Sequence, residues 1–205
     1  MLMSLADTSI RDLLSAFSSS DPTPGGGSAS ALASAVGASL LLMVAGLPKS
    51  RTGSEEGRTA LASASALLVD IRRQLTTAID ADAEAYDEVV RSYKLPKSTA
   101  ERRAAIQAGL RAATDVPLAV MHLSVGALTQ AERVAAHGHQ AAASDVGIAV
   151  GLLRAGVRGA KLNVDINLGS ISDAAYTEAA RSEADRLSKE AERMAMTADA
   201  RLGSV

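Results

Sequence analysis

The chain reads as all-α: a single-domain bundle of long antiparallel helices spanning 1–205, with a central helix kinked or split at Pro117. Hydrophobic residues make up 47% of it but aromatics only 2%, so Ala, Leu, Val and Ile must fill the core. Side chains that small suit closely approaching helices better than a β-sandwich, which draws on aromatic and β-branched residues. Long stretches keep their apolar residues at helical spacing, and Pro- or Gly-containing breaks separate them. At 205 residues one core suffices.

In order, Ser4 to Ser18 has Leu5, Ile10, Leu13, Leu14 and Phe17 near helical spacing, and Asp21-Pro22-Thr23-Pro24 stops it. Ser28 to about Gly46 is uncharged and forms the first central helix, closed by Leu47-Pro48. Ser54 is positioned as an N-cap, with Glu55 and Glu56 at the positive end of the helix dipole, and the pattern runs on to Tyr93 before Leu95-Pro96. Ser98 and Glu101 have capping-box spacing and open the next helix, which Pro117 interrupts. "HGHQAAAS" is a break, Asp145 begins a glycine-rich apolar helix, "NLGSIS" is a second break, and a charged amphipathic helix runs to the end. "NVDINL" alternates polar and apolar residues, so periodicity alone leaves helix and strand both open.

Several functions are excluded early. A net charge of −2 and the scarcity of aromatics offer neither the basic footprint nor the stacking platform of a nucleic-acid binder. Without cysteine there is no disulfide, thiolate metal site or Cys nucleophile, which fits a reducing compartment. "MLMSLADTSIRDLL" lacks a basic n-region before an apolar core, so a cytoplasmic location is expected. His122, His137 and His139 share no metal-ligand spacing with nearby carboxylates, and no Gly-x-Ser-x-Gly elbow occurs; no metal is expected.

The run "DPTPGGGSASALASAVGASLLLMVAGLP" admits three readings. A Walker loop needs a Gly-Lys-Ser/Thr ending, which is missing. A membrane span fits the length, but Ser28, Ser30, Ser34 and Ser39 interrupt it and the other segments are amphipathic in the soluble manner. There remains a helix start at which Gly25, Gly26, Gly27 and Ser28 let backbone N–H groups approach a ligand's oxygens, or simply a tight turn.

A sharper signal lies further on. Leu61, Leu68 and Leu75 recur every seven residues, and the next two steps land on Asp82 and Val89. A carboxylate thus occupies a seam position, while Asp80, Glu84, Asp87 and Glu88 form an ordinary solvated face. Burial raises a carboxyl pKa toward the range useful for proton transfer, so Asp82 is either a proton shuttle or a structural acid bonded to another helix's cap or an Arg. Asn163 and Asn167, four apart, share one helix face and suit the edge of a heterocycle, or are ordinary capping and surface amides.

Taken together, "PTPGGGSASALASAVGASLLLMV", "IDADAEAYDEVV", "LPKSTAERRAAIQAGLRAATDVPL" and "SDVGIAVGLLRAGVRGAKLNVDINL" resemble, in order, the cyclodeaminase domain of formiminotransferase-cyclodeaminase and the stand-alone bacterial methenyltetrahydrofolate cyclohydrolases. The resemblance implies a helical fold including "NVDIN", a homodimer or higher homo-oligomer, a tetrahydrofolate substrate and no other cofactor. It also implies that Asp82 is catalytic. Asp145, Asn163 and Asn167 would read the pterin edge, Gly25 to Ser28 would contact a pterin carbonyl or tail carboxylate, and Lys49, Arg51, Lys97 and Arg103 are candidates for the anionic glutamate tail. The expected activity is hydrolysis of 5,10-methenyltetrahydrofolate to the 10-formyl form. Cyclodeamination of 5-formiminotetrahydrofolate at the same site, or a silent folate-binding or structural oligomer, are the alternatives. His139, before the Ser-Asp helix, stands where the family carries Asn, and "PKSRTG" lacks the family's aromatic.

Overall fold

A computed structural model describes residues 4–48 and 53–202; Lys49 and Arg51 lie outside them. Six α-helices follow in order: α1 (Ile10–Phe17), α2 (Gly26–Ala45), α3 (Glu55–Tyr93), α4 (Ala100–His137), α5 (Ala143–Leu168) and α6 (Ala174–Leu202), and among the described residues there is no strand. "NVDINL" is the last part of α5, so its alternation is not a strand. One apolar cluster built from Ala, Leu, Val, Ile and a single Met runs through α2 to α6, as the near-absence of aromatics requires.

α2 can be uncharged because its neighbours come close on several sides. It runs antiparallel to α5, with Gly26 beside Asn163 and Gly37 beside Ala149. A Cβ on Gly156 would overlap Ser34 Oγ and stand 2.9 Å from the Ser30 carbonyl, and one on Gly159 would overlap Ser30 Oγ. The buried serines keep partners inside the chain: Ser124 Oγ donates within 2.8 Å of Ser34 Oγ, and Ser30 Oγ donates to the Gly26 carbonyl. α2 and α4 are long and apolar enough to cross a membrane by length and composition, and half of α2's apolar window is buried within the bundle.

α3 and α4 form the long hairpin, with Val89 against Gly109 and Ile71 against Gly126. Ser54 caps α3 by accepting from the Gly57 N–H, as expected, whereas α4 is capped by Thr99 rather than Ser98. Pro117 does not split α4, which is one continuous helix. Its missing N–H nevertheless orphans the Ala113 carbonyl four residues back, and Asn167 Nδ2 from α5 donates to that carbonyl at 2.8 Å. The sequence separation of 54 residues hides this repair until the helices pack.

The first segment departs most from expectation. A short 3-10 turn, Leu5–Asp7, precedes α1, and Ser9 caps α1 afresh by accepting from the Asp12 N–H. Asp80 is not merely solvated: it accepts from Ser4 Oγ and the Leu5 N–H, which holds the 3-10 turn on α3.

Candidate functional site

The heptad of Leu61, Leu68 and Leu75 is buried against the core, and its continuation carries Asp82 to the start of α2. There α2 has no cap of its own, because its N-cap residue, Gly25, has no side chain to accept a bond. Asp82 supplies the acceptor from a different helix: the Ser28 N–H donates to its Oδ2 at 2.7 Å and Ser28 Oγ donates to the same oxygen at 3.0 Å. Gly27 is required for this approach, since a Cβ there would overlap the whole carboxylate. Burial pushes the Asp82 carboxyl above its usual range, and the two Ser28 hydrogen bonds offset only part of that. Oδ1 takes no hydrogen bond among the described residues, so one oxygen is fixed and the other remains a free acceptor.

Gly26 and Asn163 border this carboxylate; a Cβ on Gly26 would lie 3.6 Å from Asn163 Nδ2. Each asparagine donates one amide N–H to backbone, Asn163 to the Gly159 carbonyl at 2.9 Å and Asn167 to the Ala113 carbonyl. Each side chain keeps a second N–H and the acceptor Oδ1 for a ligand. A hollow of about 370 Å3 opens beside Pro24, Ala83 and Asp80, with Glu84 and Asp87 on its wall. Its acidic lining suits a cationic or neutral group rather than an anionic tail. A larger hollow, about 870 Å3, runs along α6 from Ser188 to Arg201 and shares no residue with this site.

Gly25 to Ser28, Asp82, Asn163 and Asn167 are thus gathered at one end of the bundle. Asp145 is not: it lies in the first turn of α5, 18 residues and so about 27 Å along the axis from Asn163, because α5 runs the length of the molecule. Lys97 and Arg103 are exposed near the tip of the α3–α4 hairpin, which continues past Asp82 for 11 residues of α3, or about 17 Å.

One group beside Asn167 has no local sequence signature. Tyr176 Oη donates to Asp115 Oδ1 at 2.6 Å, and Arg111 lies 4.9 Å over its ring while pairing with Asp173. Burial, then the neighbouring Asp115 carboxylate, holds the phenol well above its ordinary pKa, so it stays a donor. These residues come from α4, α6 and the turn before α6 and meet only in the packed molecule.

Known proteins resemble the chain over nearly its whole length. A methenyltetrahydrofolate cyclohydrolase from Methylorubrum extorquens is 40% identical over 186 residues, covering 89% of each chain. The formimidoyltransferase-cyclodeaminase of Mus musculus is 34% identical over 197 residues; the match takes in 94% of this chain but only 36% of that larger protein. The crystal structure of a formiminotetrahydrofolate cyclodeaminase from Thermotoga maritima superposes with a TM-score of 0.88 at 25% identity, covering 97% of both chains. The family model described as formiminotransferase-cyclodeaminase matches residues 9–186, which include the glycine turn, Asp82 and both asparagines. The family model, the relatives and the fold agree, and the chain belongs to the formiminotransferase-cyclodeaminase family.

Proposed function

We propose that this chain is a methenyltetrahydrofolate cyclohydrolase that opens the 5,10-methenyl bridge to give 10-formyltetrahydrofolate, with Asp82 as general base and acid. The observation that carries the reading is the half-satisfied carboxylate: Ser28 fixes Oδ2 while Oδ1 stays free beside the glycine turn. The methenyl carbon lies between two nitrogens in a delocalised cation. Water adds to that carbon as Oδ1 takes its proton, and the carboxylate's charge favours the cation beside it. The tetrahedral adduct then expels nitrogen 5, which receives the proton back from Asp82, and the adduct's hydroxyl proton passes to solvent as the formyl C=O forms, so one proton is released overall and the carboxylate is regenerated.

Asn163 and Asn167 present acceptors suited to the amino and ring N–H groups of a pterin. Lys97 and Arg103, exposed near the hairpin tip, carry the charge that suits a tail carboxylate, as do Lys49 and Arg51. The reading includes a cytoplasmic protein, a homo-oligomer, and no membrane or nucleic-acid partner.

The test follows the loss of the substrate's near-ultraviolet absorbance, corrected for spontaneous hydrolysis. The wild-type chain should accelerate it, and Asp82→Asn should lower the rate by about 10²- to 10⁴-fold while keeping its helical circular dichroism. An Asp82→Asn protein with wild-type turnover would exclude this mechanism. A second reading is favoured by the Thermotoga maritima cyclodeaminase, which shares the fold across both whole chains. In it nitrogen 10 of 5-formiminotetrahydrofolate attacks the formimino carbon and ammonia leaves, protonated through the same Asp82. Ammonia release from that substrate, compared with methenyl hydrolysis, ranks the two.

A further inference from the structure

Pro117 serves no purpose within its own helix. Proline is the residue a helix interior tolerates least, because it lacks the N–H that would bond four residues back and its ring presses on the carbonyl there. Yet it is buried midway along α4, with regular helix on both sides.

Its level in the bundle is that of the site. Ser34 meets Ser124 and Val44 lies against Gly138, so α2 and α4 run parallel. Seven residues back from the serine pair, about 10 Å along both axes, Pro117 comes level with Gly27, where Asp82 reaches the start of α2. One turn further out, Ala113 of α4 meets Asn167 of α5, itself one turn beyond Asn163.

The orphaned carbonyl acts on Asn167. An asparagine amide turns about a broad torsion and can offer either edge. Here Nδ2 donates to the Ala113 carbonyl at 2.8 Å, and only a donor fits there, so Oδ1 and the second N–H become a donor–acceptor pair of fixed direction. The bond is also uncontested, since no backbone N–H from position 117 competes for that carbonyl. Asn163, by contrast, donates to the Gly159 carbonyl of its own helix, which already serves the backbone N–H four residues on.

We infer that Pro117 is a positioning residue of the site: by withholding an N–H from the Ala113 carbonyl it reserves that acceptor for Asn167, and so fixes the edge that Asn167 offers to the pterin. The inference rests on the folate reading above for its ligand; the direction of the amide does not. Simple repair predicts something else. A proline kept for packing, with Asn167 mending the damage, would give a chain that gains stability and loses nothing in binding once the N–H is restored.

The test pairs kinetics with the amide itself. Pro117→Ala and Pro117→Val both restore the N–H, the first leaving a small void and the second keeping the volume. Both should raise KM for methenyltetrahydrofolate at least threefold with kcat within twofold of wild type, and Pro117→Ala should melt no lower than wild type. In an Asn167→Ala background, itself raised in KM by about tenfold, either proline substitution should add less than twofold. Independently of any ligand, exchange of the Asn167 side-chain amide protons, followed by NMR on 15N-labelled protein, should be at least threefold faster in Pro117→Ala.

A wild-type KM in both proline variants or in Asn167→Ala would overturn the inference. So would a KM rise that persists in full in the Asn167→Ala background, or an Asn167 amide that exchanges equally slowly in Pro117→Ala. A rise in Pro117→Ala that is absent from Pro117→Val would trace the effect to lost packing and overturn it as well. If the wild type binds methenyltetrahydrofolate without turning it over, the same limits apply to Kd. If it neither binds nor turns it over, the folate reading fails instead. The reserved carbonyl is then judged by amide exchange alone, where faster exchange in Pro117→Ala supports the positioning and unchanged exchange overturns it.

Discussion

Asp82 meets two demands at once, capping α2 through Oδ2 and presenting Oδ1. Its carboxyl titrates above the usual range near 4, so the rate should fall on the acid side with a limb displaced upward from an ordinary aspartate; a rate profile from pH 4 to 8 checks this. The same shift has a stability consequence. The folded chain holds the Asp82 proton more tightly than the unfolded chain, so this contribution is fully present below the unfolded pKa and is lost as pH rises through the folded pKa. Asp82→Asn cannot ionise, and thermal melts should show it gaining stability relative to wild type as pH rises through that window. Gly27→Ala would drive a methyl into the carboxylate; a loss of about 1–3 kcal/mol in chemical denaturation is expected, with turnover reduced at least tenfold.

At the scale of elements, α4 tolerates Pro117 because α5 repairs it. Asn167→Ala removes the donor to the Ala113 carbonyl and should cost about 1–2 kcal/mol in denaturant unfolding. In a Pro117→Ala background the restored N–H serves that carbonyl, so the Asn167→Ala cost should shrink to a few tenths of a kcal/mol, and the double-mutant cycle measures the difference. If the cost is unchanged, Asn167 does not stabilise the chain through that carbonyl. α2 and α5 depend on each other through shape rather than polarity, with Ser30 and Ser34 filling the hollows over Gly159 and Gly156.

For the whole molecule, stability resides in a dense aliphatic core rather than in ion pairs. Arg154–Glu192, Lys161–Asp185 and Arg111–Asp173 join neighbouring elements at the surface, where such pairs contribute about 0–1 kcal/mol each. Raising sodium chloride to 1 M should therefore move the calorimetric Tm by no more than about 4 °C. A larger fall would show that these pairs hold the bundle together.

The sequence by itself determined the helical class, five of the long-range helix breaks and the one seam position where a carboxylate replaces leucine. Each follows from local physics: periodicity at 3.6 residues, the dihedral limits of Pro and Gly, and the cost of burying a charge. Resemblance then pointed to folate and joined Asp145 to Asp82. Only the tertiary structure decided that Ser28 is Asp82's partner, that Asn167 serves a carbonyl orphaned by proline, and that Asp145 stands at the opposite end of its own chain. Those facts depend on which helix ends lie side by side, and that is set by the packing of small residues across α2, α4 and α5. The first segment was misread where Thr8 and Ser9 turn extended and Ser9 caps α1 afresh, while Asp80, 75 residues from Leu5, holds the preceding turn on α3.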